Sequence, residues 1–474
     1  MPVPSILDKL LKRKATAESS VDQFEAIYER AALAAAAGQF ENAVRLYDQA
    51  IARKPAHAEA FFKRGNALKN LGKLELAIDS YNQAIEHRPG HAHAYCNRGT
   101  AQQELGLTDA ALSSYDRAIA LDRMDAIAHH NRAMLLQEQF CWLEALASYD
   151  LAIKIDPSFA DAQYNRSLTL LFLGDFARGW NAYEWRWKNA RRLSIAEPRN
   201  FKEPLWLGEN SISGKRLLIY SEAGLGDTLQ FCRYAKLCAE LGATVILEVQ
   251  ASLFVLLTDM EGISKLIACG QDLPPFDYHC PLMSLPLAFK TTIETLPAAP
   301  AYLHPDEAIT GQWRTRLGQR SRPRIGLVWS GNPQNSIDRH RSIRLADWQP
   351  HLPLEYQYFC LQRPVREEDQ AILDASPLIF SYEDEMLDFA NTAALCKCLD
   401  LVISVDTSIA HLSGALGQRT WLLLPHTPDW RWMLDRTDSP WYPTMTLYRQ
   451  RVAGDWNDVF NRVAADLRLQ FPIT

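Results

Sequence analysis

Four short stretches in the second half of the chain bring glycines, carboxylates and guanidinium groups together at spacings that suit phosphate and proton chemistry. The first, Ser221-Glu222-Ala223-Gly224-Leu225-Gly226-Asp227, follows the apolar run Arg216–Tyr220. Gly224 and Gly226 allow a ligand close to the backbone. Asp227 either caps the helix that follows or takes a proton from an acceptor group as general base. GxGD alone is a weak signal, because the dinucleotide fingerprint needs a third glycine and a distant acid. The second stretch, Trp329 to Arg344, holds Asn332 and the three arginines Arg339, Arg341 and Arg344. Guanidinium pairs bidentately with phosphate oxygens, so this loop suits a diphosphate. A solvated basic loop is the plainer reading.

The third stretch is Leu401 to Gly417. Leu401–Val405 is apolar and β-branched enough for one buried strand. Asp406, Thr407 and Ser408 are good helix N-caps. Ile409, Leu412 and Leu416 recur at helical spacing, and Gly417 is placed to end the helix. A strand, tight turn and helix of this kind aims helix amides into a crevice at the strand's carboxyl end, where a phosphate fits. His411, one turn in, either meets that ligand or is a satisfied core side chain. The fourth stretch, Pro425 to Trp432, either folds over a bound base or sugar or packs between lobes.

The elements that must position these groups read as two α/β lobes. Strands are expected at Arg216–Tyr220, Thr244–Val249, Lys265–Ala268 and Tyr278–Leu282, with helical patterns over Leu229–Leu241 and Ser252–Met260. A second series runs Arg324–Trp329, Tyr356–Leu361, Leu378–Phe380, Leu401–Val405 and Thr420–Leu424. Alternation of strand and helix predicts parallel sheets with crevices at the carboxyl ends of the strands. The lobes are assigned to residues 214–310 and 311–474, facing each other across a cleft. The last helix, Trp456–Leu469, is expected to brace them.

The first half has a different texture. Gly38, Gly72, Gly106 and Gly174 are spaced by multiples of 34, with Phe140 in the vacant slot. Ala43, Ala77, Ala111 and Ala145 keep that step, as do Tyr47, Tyr81, Tyr115, Tyr149 and Tyr183. This resembles the tetratricopeptide repeat, a helix-turn-helix unit of that period. Five repeats are expected over 21–190, stacked into a curved solenoid with a concave face. Residues 1–20 read as a flexible terminus and 191–213 as a linker.

Asn97, Asn131 and Asn165 form one column on the first helices of their repeats. An amide offers a donor and an acceptor together, so the column is a candidate for gripping an extended peptide backbone. A hydrogen bond inside the solenoid is the alternative. Arg64, Arg98, Arg132 and Arg166 form a neighbouring column, either snorkelled over the surface or facing an acidic partner. The last repeat is atypical: Trp180, Trp185 and Trp187 suit docking on the following domain better than a polar cap.

Composition narrows the function classes. A formal net charge of -6 gives no support to a nucleic-acid partner. No apolar run approaches the ~20 residues of a membrane helix, and the N-terminus lacks the apolar core of a signal peptide. Ile6, Leu7, Leu10 and Leu11 with Lys9, Lys12, Arg13 and Lys14 form at most a short basic amphipathic turn. The nine cysteines are scattered, and none completes a zinc site with its neighbours. A cytoplasmic protein with reduced thiols and no metal is expected.

GLGD after the first strand, GN…RHRSI after the first strand of the second lobe and VDTSIAHLSGALG after a later one resemble the ADP-heptose:lipopolysaccharide heptosyltransferase family, glycosyltransferase family 9. The order of a tetratricopeptide array, GDFxRGWxxYEWRW, GLGDTLQFxRY, SVDTSIAHLSGALG, PDWRW and DSPWYPTM resembles bacterial tetratricopeptide glycosyltransferase-like proteins. That likeness implies an α-solenoid followed by a GT-B pair of Rossmann-like lobes. It also implies metal-independent, inverting transfer from a nucleotide sugar, without a cofactor. Asp227 then corresponds to the catalytic base. Gly224, Gly226, Asn332, Arg341, Asp406, Thr407, Ser408 and His411 make up the expected donor-binding set, with Asn97, Asn131 and Asn165 for an acceptor protein or peptide. Arg341 stands near the place of a phosphate-binding lysine, and Ser408 where the family has glycine. Two alternatives stay open: a non-catalytic interaction scaffold on a degenerate fold, and a transferase acting on lipid-linked glycan.

Overall fold

The computed structural model of the chain describes residues 23–189, 198–334 and 338–472. The basic turn expected at 6–14, the first part of the linker and Asn335–Ile337 of the arginine loop lie outside the described residues. Two compact units divide between Arg166 and Ser167.

The first unit is built of paired helices. A helix over 23–36 pairs with Phe40–Arg53, Ala58–Asn70 with Leu74–His87, Ala92–Glu104 with Thr108–Leu121, and Ala126–Glu138 with Trp142–Ile155. Gly38, Gly72 and Gly106 leave their helices at φ +73, +69 and +74, a left-handed conformation that costs glycine little. Phe140 takes the same conformation, φ 62, in the fourth turn. Close approach is set by shape. A Cβ on Gly65 would stand 2.6 Å from the Tyr81 ring, and one on Gly99 2.7 Å from Tyr115. The alanine columns at Ala43, Ala77, Ala111 and Ala145 are fully buried.

The arginine column is a ladder within the solenoid. Arg64 donates to Asp48 (2.6 Å) on the preceding repeat and to Ser80 (2.7 Å) on its own. Arg98 repeats this with Asn82 (2.9 Å) and Ser114 (3.1 Å), and Arg132 with Asp116 and Ser148 (both 2.7 Å). Arg166 continues it to Asp150 at 2.5 Å. These guanidinium groups are committed to neighbouring helices, and an acidic partner is not needed to account for them.

The second unit opens on the end of the last repeat, Phe176–Tyr183, and a 3₁₀ turn, Glu184–Lys188. Trp180 Nε1 donates to Thr291 O (3.1 Å), and its ring stands edge-on to Trp430, Phe231 and Trp441. The expected linker is packed in its later part: Leu205 bridges to His279, and Trp206 is 2% exposed.

Two all-parallel sheets follow. The first has β1 (Arg216–Tyr220), β2 (Thr244–Val249), β3 (Lys265–Ala268) and β4 (Tyr278–Pro281) in the order β3-β2-β1-β4. The second has β5 (Arg324–Val328), β6 (Gln357–Cys360), β7 (Ile379–Ser381), β8 (Leu401–Val405), β9 (Thr420–Leu424) and β10 (Met445–Arg449) in the order β10-β9-β8-β5-β6-β7. Strand order reverses between β1 and β4 and between β5 and β8. In parallel α/β sheets such reversals open a crevice at the carboxyl ends.

Three expectations are corrected. The helix expected over Leu229–Leu241 is two helices, Leu225–Phe231 and Tyr234–Glu240. The break comes at Cys232 and Arg233, where the buried Arg233 guanidinium folds back to Gln230 O (2.7 Å). β10 is an additional edge strand. The final helix, Trp456–Gln470, does not brace the lobes: Val459, Phe460, Val463 and Leu467 join the core of the second sheet with Trp421 and Tyr448. Among the described residues no helix is long and apolar enough to cross a membrane.

Candidate functional site

At the second switch point, β5 and β8 present their following loops side by side. Arg341, at the end of the short helix Asp338–Arg341 that follows β5, donates through Nη1 to Asp406 O (2.7 Å) and through Nε to the buried Asp338 (3.3 Å). Arg366, after β6, reaches Asp338 and Ser342 as well, so one carboxylate anchors two arginines. Gly331 leaves room for this pair: a Cβ would lie 2.4 Å from Asp338 Oδ1 and 2.5 Å from Arg341 Nη2, so a side chain there would displace them. Asn332 is exposed and accepts from Gln334 N (3.0 Å) in its own loop, so it is not brought to this cluster by any bond of that side chain seen here.

After β8 the helix is Ser408–Ala415, with Thr407 as N-cap in an extended conformation. The Thr407 side chain does not accept from the first-turn amides. The Thr407 hydroxyl lies 3.2 Å from Ser404 Oγ instead. An uncapped helix start concentrates partial positive charge and N–H donors, as an anion requires. Asp406 does not cap either. Its buried carboxylate lies 4.0 Å from His411 Nε2. Burial, and then the charge of Asp429, push the Asp406 carboxyl up to about 6.

His411 is a core side chain. Its Nδ1 is 2.8 Å from the Tyr442 hydroxyl, and Trp432 stacks on its ring at 5.4 Å. Burial, with Arg431, Arg233 and Arg341 around it, holds the imidazole well below its usual pKa, so it is neutral. The opposite lobe touches it: a Cβ on Gly226 would stand 2.8 Å from His411 Cδ2 and 3.5 Å from Ser408 Cα. The lobes are thus in direct contact where sequence reasoning placed an open cleft.

Asp227 lies within the helix Leu225–Phe231, not in a loop. Its Oδ2 accepts from Gly224 N (2.9 Å), the capping reading. Its Oδ1 is held by Arg431 Nη2 from the loop after β9. Arg431 also meets Asp429 (2.8 Å) and Gln230 Oε1 (2.6 Å). Burial works against its charge, but Asp429 and Asp227 outweigh that and raise its pKa. Sequence reasoning missed Arg431 and Arg366 as members of the site. The only trace was the basic residue inside PDWRW. Glu222, in the same loop as Gly224, is buried against Arg186 (3.2 Å), and burial pushes its carboxyl up to about 7.

In the first unit each asparagine of the column has an internal bond. Asn97 donates to Asn66 Oδ1 (2.8 Å), Asn131 to Thr100 Oγ1 (3.5 Å), and Asn165 lies 3.1 Å from His130 Nε2. All three remain half-buried, with partners one repeat back.

Family models match repeats in the first unit. Models described as TPR repeat match residues 35–72 and 65–106, and a model described as tetratricopeptide repeat matches 92–123. Protein FlbA of Caulobacter vibrioides is 27% identical over 324 residues, covering 63% of this chain and 53% of FlbA. The chain therefore spans about half the length of that curated relative. The crystal structure of MamA aligns with 22% identity and a TM-score of 0.32, over 35% of this chain and 96% of MamA. YrrB, described as a TPR protein with an unusual peptide-binding site, aligns with 23% identity and a TM-score of 0.30, over 34% of this chain and 82% of its own. The N-terminal region carries tetratricopeptide repeats stacked as a helical solenoid, a repeat class that mediates protein–protein interaction.

Proposed function

We propose that the second unit is a GT-B-type glycosyltransferase that moves a sugar from a nucleotide-sugar donor to a protein recruited by the repeats. The crevice between β5 and β8 is the observation that carries this reading. There Arg341 is fixed beside a helix start that its N-cap residue, Thr407, does not cap. In this reading the donor diphosphate takes the amides at Ser408 and Ile409 together with Arg341. Stabilising charge on a leaving group in this way is the largest single contribution such sites make. The acceptor attacks the anomeric carbon opposite the diphosphate, which leaves with the bonding electron pair. Asp227, one residue from the Gly226–Ser408 contact, receives the acceptor's proton. Asp406 organises the turn, since its charge has the wrong sign to meet a phosphate.

Asp227→Ala in the full chain tests this with a panel of nucleotide sugars and captured partners of the solenoid. Loss of a general base costs ~10²–10⁴-fold in rate. A folded variant that transfers at the wild-type rate removes Asp227 from the mechanism.

A second reading has one observation in its favour. Arg431 on Asp227, and Gly226 on His411, bring the two lobes into contact at the expected cleft. That suits a scaffold that binds partners and transfers nothing. A thermal-shift series with the same nucleotide sugars decides between the two: no shift with any donor favours the scaffold.

A further inference from the structure

We propose that Arg431 is a positioning residue that holds Asp227 until a diphosphate arrives and then exchanges the carboxylate for a phosphate oxygen. The inference rests on the transferase reading and adds an order of events to it.

The geometry is that of a shared cation. Arg431 has all three nitrogens engaged, with Gln230 and Asp227 on the first lobe and Asp429 on its own loop. Its guanidinium carbon lies 4.4 Å from the Trp430 ring centroid and 5.8 Å from that of Phe231, so the group is shielded from water. The segment that carries it is not relaxed. Met433 and Asp435 sit at φ 54 and 48, a left-handed conformation that side-chain-bearing residues keep only where surrounding contacts impose it. One guanidinium serves two carboxylates, and Asp406 adds a third acid near Asp429.

Gly226 packs against Ser408 and His411, so a diphosphate at the Ser408 end of the helix enters by parting this contact and meets Asp227 beside it. It adds negative charge beside three acids and competes for the same guanidinium. Phosphate offers Arg the bidentate partner that the single Asp227 oxygen does not. The exchange leaves Oδ1 of Asp227 to accept the proton of the acceptor. The acceptor atom forms its bond to the anomeric carbon, the carbon–oxygen bond to the diphosphate breaks, and the electron pair stays on the diphosphate now paired with Arg431. Asp227 is thus tied up in the absence of donor, which guards against abortive proton chemistry in a donor-free site.

The test is a binding titration of the full chain with inorganic pyrophosphate, then ADP and UDP, followed by the fluorescence of the tryptophans beside Arg431 and His411. Asp227→Asn removes the competitor and is expected to tighten diphosphate binding about 10-fold, the scale of one charge-assisted hydrogen bond. Arg431→Gln is expected to weaken it about 10-fold, with Arg431→Lys in between. A purely structural pair would give weaker or unchanged binding in both Asp227→Asn and Arg431→Gln. If Arg431→Gln does not fold, the tightening by Asp227→Asn alone decides. Equal affinities across wild type and variants overturn the exchange while leaving the donor site standing. Absence of binding by wild type and every variant overturns both.

Discussion

Replacing Asp406 with asparagine should stabilise the second unit at neutral pH and leave it little changed in acid. The carboxylate is only 11% exposed, and burial is the main reason its pKa rises from the ordinary 3.8 to about 6; Asp429 adds to the rise, and Arg341 and Arg431 oppose it. The folded chain therefore holds this proton more tightly than the unfolded chain. The stability that gives is present below the unfolded pKa and is lost as pH rises through the folded one. At ~1.4 kcal/mol per pKa unit, the penalty carried by wild type above about pH 7 is on the order of 3 kcal/mol. Asparagine keeps the shape and carries no such penalty. The stability difference, variant minus wild type, should thus grow by about 2–3 kcal/mol from about pH 4 to about pH 8. Urea unfolding at a series of pH values, followed by tryptophan fluorescence, measures it. Trp142 is the one of the 13 tryptophans that precedes Ser167, so the signal reports the second unit. A difference that does not change with pH, or that shrinks as pH rises, would refute the reasoning.

Two further substitutions probe contacts that shape both units. Gly226→Ala places a methyl group 2.8 Å from His411 Cδ2, and His411 is confined by Trp432 and Tyr442. It should lower stability by about 1–3 kcal/mol, read from the urea midpoint; an unchanged midpoint would mean that the lobes do not meet there. Phe140→Gly should be more stable than Phe140→Ala by about 1 kcal/mol, the reverse of the usual helix order, because both lose the ring and only glycine is unstrained at φ 62. Circular-dichroism melts of the two variants check this, and an alanine variant as stable as the glycine one refutes it.

The repeats were legible because each structural demand recurs once per 34 residues. Glycine at the left-handed turn, alanine at the helix crossing and tyrosine between pairs each mark a column that chance does not produce. β5 and β8 were legible for another reason. Strands buried on both faces read as continuous apolar runs. β10 was not, because Met445–Arg449 follows Pro443 and, with Thr446 and Arg449 in it, is not a continuous apolar run. The chemistry-bearing loops after β1, β5 and β8 could be placed from sequence, yet their partners could not. Arg431 reaches Asp227 across 204 positions and Gln230 across 201, and no local pattern encodes pairings at that distance. The same holds for His411, whose type suggested a ligand contact. Only the surrounding Trp432, Tyr442 and Gly226 reveal it as packing.

The arginine ladder has a mechanical consequence. Each guanidinium is a strut between the second helices of successive repeats, anchored on a carboxylate or amide at one end and a serine hydroxyl at the other. Such struts act in series, so the solenoid behaves as a spring of near-identical links, and its pitch can change only by stretching every rung a little or breaking one. The aspartates are 53% exposed, where salt screens charge strongly. The Arg98 rung, with Asn82 in place of an aspartate, is the link that salt leaves stiff. Raising ionic strength should therefore soften the spring on either side of a rigid third repeat.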